Sequence, residues 1–461
     1  MFASRSGSGP RACRGARPAP EPVEGHARPP SLSRGTPGTR TAPEPVEGQV
    51  RQPHPPSPGS GTAWGAACDD GRVDLATFER LQTDEGRALV AEVHERAGVE
   101  SDLALGTRLR RTHDVDLVAA AVTQNHLRGL ARSKLGDDAE RMWFTHDALQ
   151  QATRGSVARL RADRLASTGA TAVLDLGCGI GSDLLTLARA GLRVRGVERD
   201  PVRAAIARAN LAALGLDGEV LCADAADVYP RDDEVVFLDP ARRDDRGRVF
   251  DPEAMSPPWS VVAAHLAGRA VVKTLPGIPH ALVPTSVEAQ WVSDGGDLVE
   301  ACLWGAGIDL PDRAPRRATA LPGPHELAGD GAPGDVGELG AWLHEPDDAV
   351  IRAALVGELA ERIDGQLIDP RIAWVTTDAD VRHPLARSFR VLEELPFREK
   401  QLKAALVARD AGTLTVKKRG VDVVPEQLVR RLRLKGSVRT TVVMTRMDDK
   451  AVALLVEPLP R

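Results

Sequence analysis

Eleven residues place the strongest constraint on this chain: Val173-Leu-Asp-Leu-Gly-Cys-Gly-Ile-Gly-Ser-Asp183. A short apolar run at 172–176 leads into glycines at alternate positions, Gly177, Gly179 and Gly181. A helical pattern follows over 183–190. Glycines at this point let a strand turn sharply into a helix and let the backbone approach a ligand closely. The alternation then continues, with strands expected at 194–197, 220–222, 235–238 and 270–273 and a helix at 201–214. Residues 291–293 and 300–304 are expected to close the set as a hairpin. Strands alternating with helices predict a parallel sheet covered on both faces.

The acids around the glycines narrow the ligand. Asp175 stands two residues before Gly177, at the strand end. The dinucleotide fingerprint is G-x-G-x-x-G and receives a pyrophosphate at the helix N-terminus. A carboxylate there would oppose a pyrophosphate but suits a cofactor carrying an ammonium group, which favours S-adenosylmethionine over NAD. Asp183 closes the motif and joins the candidate cofactor set. Glu198 ends the second strand, where a carboxylate can accept hydrogen bonds from both ribose hydroxyls. Its alternative is one more acid on a charged surface. Asp224 follows the third strand and could accept from an adenine amine, with the Ala225 N–H reaching a ring nitrogen. Asp224 could equally be a helix cap.

These three elements, in this order and spacing, resemble class I S-adenosylmethionine-dependent methyltransferases over about 166–310. The resemblance implies a seven-stranded Rossmann-like α/β sheet. It implies cofactor contacts from Asp175, Gly177, Gly179, Gly181, Glu198 and Asp224. A fourth element, Asp239-Pro240-Ala241-Arg242-Arg243, ends the fourth strand, where the methyl acceptor is expected. Amino-methylating relatives carry Asp/Asn-Pro-Pro followed by an aromatic that stacks on the base. This chain keeps Asp239-Pro240 but offers Ala241-Arg242 in place of the rest, with no local aromatic. Asp239 is the best-placed candidate base, with Pro240 and Arg242 beside it. Arg242 and Arg243 present forks that match phosphate, or they pair with Asp244, Asp245 and Asp251. Lys273, at the end of the fifth strand, either faces the substrate crevice or is an ordinary solvated lysine. Carbon-5 pyrimidine methylation would want a cysteine nucleophile, and Cys222 and Cys302 stand in no such motif. Both are expected in the core. Trp143 and Phe144, just before the sheet, either cover the cofactor or fill the core.

The surroundings divide the 461 residues. Residues 1–72 form a Pro/Gly-rich tail expected to be disordered, since 13 of the 34 prolines fall in the first sixty positions with few large apolar residues. Ala-Pro-Glu-Pro-Val-Glu-Gly occurs there twice, at 19–25 and 42–48, too few copies for a solenoid. An N-terminal helical region is expected over 73–165, with helices at 75–97, 116–133 and 146–168. A Pro, Gly and Asp-rich stretch at 311–337 reads as a linker. An α+β unit over 338–461 completes the chain. Its helices are expected at 349–363, 399–409 and 425–432, and its strands at 372–376, 413–417, 440–444 and 451–456.

Charge points to a partner. The formal net charge is -5, which excludes a protein held to nucleic acid by overall charge alone. Yet residues 413–446 carry nine basic side chains, Lys417, Lys418, Arg419, Arg430, Arg431, Arg433, Lys435, Arg439 and Arg446, against Asp422 and Glu426. A basic face beside a methyltransferase suggests an RNA backbone as partner, and the bland alternative is a solvated surface. The string Leu414-Thr-Val-Lys-Lys-Arg-Gly420, with Glu345-Pro-Asp and Pro396-Phe397, resembles the THUMP-like domain of a bacterial family bearing Asp-Pro-Ala-Arg-Arg. That resemblance spans about 73–461 and implies, by analogy with THUMP modules, RNA, with tRNA or rRNA first. It also makes Lys417, Lys418 and Arg419 candidate substrate contacts. Methylation of a small metabolite or protein, or RNA binding with a non-catalytic cofactor site, stay open. Five dispersed cysteines without a C-x-x-C pair argue against disulfides or a zinc site, and no metal is expected. No long apolar run or secretory h-region is visible, so the cytoplasm is the expected compartment.

Overall fold

The computed structural model describes residues 73–242 and 252–460. The tail at 1–72 and Arg243 lie outside the described residues. Six helices open the described chain: α1 (Leu75–Leu81), α2 (Asp84–Arg96), α3 (Asp102–Leu109), α4 (Val115–Leu135), α5 (His146–Gln151) and α6 (Gly155–Ser167). The stretches expected as single helices at 75–97 and 146–168 are each broken in two. Thr83 caps α2 by accepting from the Gly86 N–H, so a new helix starts there. α1 and α2 meet so closely at Gly86 that a Cβ would lie 2.2 Å from the Arg80 carbonyl oxygen.

The strand–helix alternation then builds β1 (Ala172–Leu176), α7 (Ser182–Arg189), β2 (Arg193–Glu198), α8 (Pro201–Leu214), β3 (Glu219–Cys222) and β4 (Glu234–Leu238). A two-stranded ribbon, β5 (Ala241–Arg242) and β6 (Met255–Ser256), precedes α9 (Trp259–Leu266), β7 (Ala270–Thr274) and the hairpin β8 (Glu288–Asp294) and β9 (Asp297–Trp304). The stretch expected as a linker instead carries β10 (Arg316–Leu321) and β11 (His325–Gly329). The main sheet therefore has nine strands, in the order β11-β10-β8-β9-β7-β4-β1-β2-β3, two more than the resemblance implies. The prolines and glycines of 311–337 sit largely at the Pro322–Pro324 turn and beyond β11, leaving Arg316–Leu321 free to pair with β8. Buried ion pairs hold this added edge, since Arg317 on β10 binds Glu288 on β8 at 2.8 Å and Glu326 on β11 at 3.0 Å.

The two faces of the sheet have different covers. One face, with Val173, Phe237, Val271 and Trp304, packs under the N-terminal helices, α7 and α8. The other, with Leu174, Val236, Val272 and Trp291, packs under α9 and also under α10 (Asp348–Arg352) and α11 (Val356–Arg362). The sequence pattern places these last two helices in the C-terminal unit, as one helix over 349–363. They instead cover the surface that the hairpin and β10 add beyond the reach of α9.

The second sheet contains β12 (Trp342–Pro346), β13 (Gln366–Leu367), β14 (Val375–Thr377), β15 (Ala386–Pro396), β16 (Ala411–Lys418), β17 (Val438–Met447) and β18 (Lys450–Pro458). Its order is β13-β14-β12-β15-β18-β17-β16. α12 (Glu399–Ala408) and α13 (Pro425–Leu432) cover one face through Leu402, Leu406, Leu428 and Leu432. Trp374, Phe389 and Ile372 fill the other. Sequence patterning misses β12, β13 and β15; in β15, Arg and Glu interrupt the apolar residues, and from Arg390 onward none of its residues is fully buried.

His344 ties β12 to both neighbours, with Nδ1 2.9 Å from the Ser388 hydroxyl and Nε2 2.9 Å from that of Thr377. Burial pushes its pKa down from 6.5 to about 4. The neutral ring is therefore the folded form, so its contribution is complete above about pH 6.5 and is lost as the pH falls towards 4. Thermal unfolding is expected to show stability dropping in that window, by up to about 3 kcal/mol from this group. His344→Gln should flatten the drop, leaving the part due to His280, also held down near 4, and to His265 and His383, which burial also pushes down. An unchanged slope in the variant would remove His344 as its source.

Candidate active site

Side chains alternate across a strand, so residues of equal parity on neighbouring strands share a face. On the α7 face, Val173 leads to Asp175, Phe237 to Asp239, Val271 to Lys273, and Cys302 back to Glu300. Strands β1, β4, β7 and β9 are consecutive in the sheet. Four ionisable groups thus line up at the strand ends where the glycine loop begins. Arg161 from α6 and Asp183 from α7 reach the same place. Arg161 is 4% exposed, forms an ion pair with Asp183, and binds Glu300 at 2.6 Å. Its guanidinium carbon lies 5.2 Å from the centre of the Phe237 ring. Lys273 pairs with Asp239.

Four carboxylates therefore face two cations. Asp239, Asp183 and Glu300 have partners, whereas Asp175 Oδ2 is buried without any hydrogen bond. Burial, reinforced by Asp183 and Asp239, holds the Asp175 carboxyl well above the usual carboxylate range. Burial also pushes Asp183 up, but Arg161 and Lys273 outweigh it and hold the group below its ordinary value. Burial pulls the Lys273 pKa down, and Asp239 and Asp183 more than restore it. A site with one orphaned buried carboxyl and a surplus of acids fits a ligand that brings a positive charge.

The glycine loop has the shape for such a ligand. Gly177, Gly179 and Gly181 all adopt positive φ, at 99°, 59° and 89°. A Cβ at Gly177 or Gly179 would project into open space, so the backbone there can be approached closely. Glu198 is buried, not a surface acid. Its Oε2 accepts from the Gly179 N–H at 3.0 Å and its Oε1 from the Asp200 N–H at 2.9 Å. Each oxygen keeps a further lone pair for a hydroxyl. Asp224 Oδ1 accepts from the Ala226 N–H at 2.9 Å, so this exposed residue does cap a short turn. Ala225 is the first residue of that turn. Both oxygens of Asp183 are engaged, by Arg161 and by the Thr153 hydroxyl, inside the protein.

Pro240 is buried beside Asp239, and Ala241–Arg242 forms the ribbon with Met255–Ser256. Trp143 and Phe144 fill the core, with Phe78 edge-on to Trp143 at 5.8 Å and Gln124 and Asn210 satisfying their backbone groups. Cys302 is buried as expected, but Cys222 is exposed, because it ends the edge strand β3 and has no neighbour beyond it. Further along the chain, Lys417 binds Glu345 at 2.6 Å and Arg419 lies 3.9 Å from the same carboxylate, over the Trp374 ring. Lys418 between them is exposed. Sequence reasoning missed Arg161 and Glu300. The available signal was one charge inside each of two otherwise apolar patterns, since a buried charge needs a partner.

The chain is 40% identical over 332 residues to an uncharacterized S-adenosylmethionine-dependent methyltransferase of Mycobacterium tuberculosis strain H37Rv, covering 70% of this chain and 90% of the relative. The same holds for that of strain CDC 1551. This chain belongs to the S-adenosylmethionine-dependent methyltransferases. Residues 173–238 match the methyltransferase domain, 386–458 the THUMP domain-like family, and 74–131 a domain of unknown function. A putative methyltransferase of Porphyromonas gingivalis W83 shares the fold, with TM-score 0.64 and 20% identity over 81% of this chain and 98% of that one.

The methyltransferase takes S-adenosylmethionine as its cofactor, which when bound supplies a methyl group on a sulfonium and also carries an ammonium group. A cation near Asp175 would lower its pKa, so binding is expected to release a proton from this carboxyl. Calorimetric titration of S-adenosylmethionine should accordingly give enthalpies that change with the ionisation heat of the buffer. Asp175→Ala should weaken binding at least about tenfold, which is about 1.4 kcal/mol. Undiminished affinity in a folded Asp175→Ala protein would remove the residue from the cofactor site.

Proposed function

We propose that this methyltransferase acts on RNA, with tRNA or rRNA as its substrate. The observation that carries the reading is the THUMP domain-like match over 386–458, together with the basic surface of that region. Burial of Leu428 and Leu432 turns Arg430 and Arg431 outward on α13, and Arg433, Lys435 and Arg439 are also exposed. Arg431 binds Glu399 at 3.0 Å, which brings α12 and its exposed Lys400 and Lys403 beside this surface. Lys417 and Arg419 serve the domain itself through Glu345, whereas Lys418 remains a candidate phosphate ligand. Metal plays no part in this reading.

For the cofactor we assign Asp175 to the ammonium group, Gly177, Gly179 and Gly181 to the backbone cradle, and Glu198 to the ribose hydroxyls. Asp224 and Ala225 are assigned to the adenine edge. Asp183 acts on this site through Arg161. Asp239, Pro240 and Arg242 are assigned to the methyl acceptor, with Lys273 paired to Asp239, and Arg243, which lies outside the described residues, keeps its candidate role. Methyl transfer from a sulfonium is an in-line displacement, so alignment is the main task of these residues.

Mass spectrometry of RNA nucleosides from cells lacking the protein is expected to show one methylated nucleoside missing. An unchanged profile would count against an RNA substrate. RNA affinity should fall steeply with salt. Joint replacement of Lys418, Arg430, Arg433 and Lys435 by Ala should shallow the log–log slope by roughly 0.7 for each single-strand phosphate no longer neutralised. Lys417→Ala should instead destabilise the fold by roughly 1–3 kcal/mol, because Glu345 is deprived of a partner.

A further inference from the structure

The Asp239–Lys273 pair distinguishes between acceptor atoms. Asp239 follows β4 and Lys273 lies in β7, and the two strands run parallel with Leu238 opposite Val272, so the residues are neighbours by register as well as by charge. The Lys273 side chain is 14% exposed and that of Asp239 38%, so the ammonium is the more deeply buried of the two and the carboxylate the more accessible. The other charges close to Lys273 are Asp183, Arg161 and Glu300, which are tied to one another, together with Asp175 and Lys134.

A nitrogen acceptor gains positive charge as it takes a methyl group. A carboxylate beside it offsets that charge only while the carboxylate itself is unpaired. Here the Asp239 carboxylate is already neutralised by Lys273, and the Asp-Pro-Ala-Arg sequence supplies no aromatic to hold a base. A pyrimidine carbon acceptor needs a thiolate to activate the ring. Among the described residues, Cys302 is buried in the sheet with its thiol pushed up to about 12, Cys178 is packed against Gly196, and Cys222 sits exposed at the sheet edge. A hydroxyl acceptor has the opposite need. It develops negative charge as its proton leaves, and an ammonium fixed nearby stabilises that charge through a charge-assisted hydrogen bond. The adjacent carboxylate is placed to receive the proton once the hydroxyl takes its place on the Lys273 ammonium.

We propose that the methyl acceptor is a hydroxyl oxygen, the ribose 2′-hydroxyl of an RNA nucleotide, with Lys273 stabilising the developing oxyanion and Asp239 accepting its proton. This rests on the RNA reading above, because the 2′-hydroxyl is the free hydroxyl of an internal nucleotide. In the step, the oxygen forms the new C–O bond to the methyl carbon while the C–S bond breaks and leaves its electron pair on sulfur. The hydroxyl proton passes to Asp239 and from there to water.

The test uses the full chain, S-adenosylmethionine labelled in the methyl group, and total RNA from cells lacking the protein. A 2′-O-methylated nucleotide resists alkaline cleavage, so the label is expected in alkali-stable dinucleotides. Label in mononucleotides after alkali overturns the oxygen acceptor while leaving the RNA reading intact. No label in RNA, from protein that binds the cofactor, overturns both. Lys273→Met is expected to lose on the order of 100-fold in kcat, the scale of a single acid–base group. Its cofactor affinity by calorimetry should not fall, which also shows that it folds. Lys273→Arg should recover part of the rate and keep the alkali-stable product. Transfer by Lys273→Met at the unmodified rate overturns the role of Lys273.

Discussion

Arg161 is the residue around which the candidate active site is organised. It leaves α6, passes the Phe237 ring, and binds Asp183 on α7 and Glu300 on β9. Three elements that are remote in sequence are thereby fixed at one end of the sheet. A buried ion pair adds little net stability over an apolar contact of the same volume, because desolvation offsets the attraction. Its effect is geometric, since a buried guanidinium accepts few arrangements of its partners. With the two terminal nitrogens of Arg161 taken by Asp183 and Glu300, and Lys273 paired with Asp239, Asp175 is left with a buried oxygen that has no hydrogen bond. The proposed cofactor site rests on this unequal division of charge.

A second dependence runs through the sheet. β10 and β11 extend it past the closing hairpin, and the new surface has to be covered on the face of α9. α10 and α11 provide the cover although they follow the second sheet's first strand, β12, in the chain. Arg352 on α10 donates to the carbonyls of Pro276 and Ile278, in the loop just after Lys273. Trp291 donates to Pro276 as well. The segment that begins the C-terminal region is therefore bonded to the active-site loop.

Much of this was legible in the sequence because it is local. The glycine loop, the 201–214 helix and the strand ends at Asp175, Glu198 and Asp239 all follow from periodicity and turn chemistry within about twenty residues. Helix breaks were less legible. Thr83 and Thr153 sit in windows whose apolar spacing continues across them, so the pattern alone reads through the break. The 311–337 stretch was misread for a related reason. Its prolines and glycines mark a turn and a loop, and strand β10 before the turn opens on Arg316 and Arg317 among flanking prolines, so it does not announce itself.

By itself the sequence determined the cofactor class, the alternating α/β order and a basic C-terminal region, since each is written in neighbouring residues. Only the tertiary structure decided which charges meet. Arg161 and Glu300 are 139 residues apart, and Lys417 and Glu345 are 72 apart. No spacing rule links such positions, because their approach depends on strand order and on how helices cover a sheet. The same packing determined that Lys417 and Arg419 are bound within their domain while Arg430, Arg433 and Lys435 face outward. Buried charges must find partners, and the partners available are set by the fold.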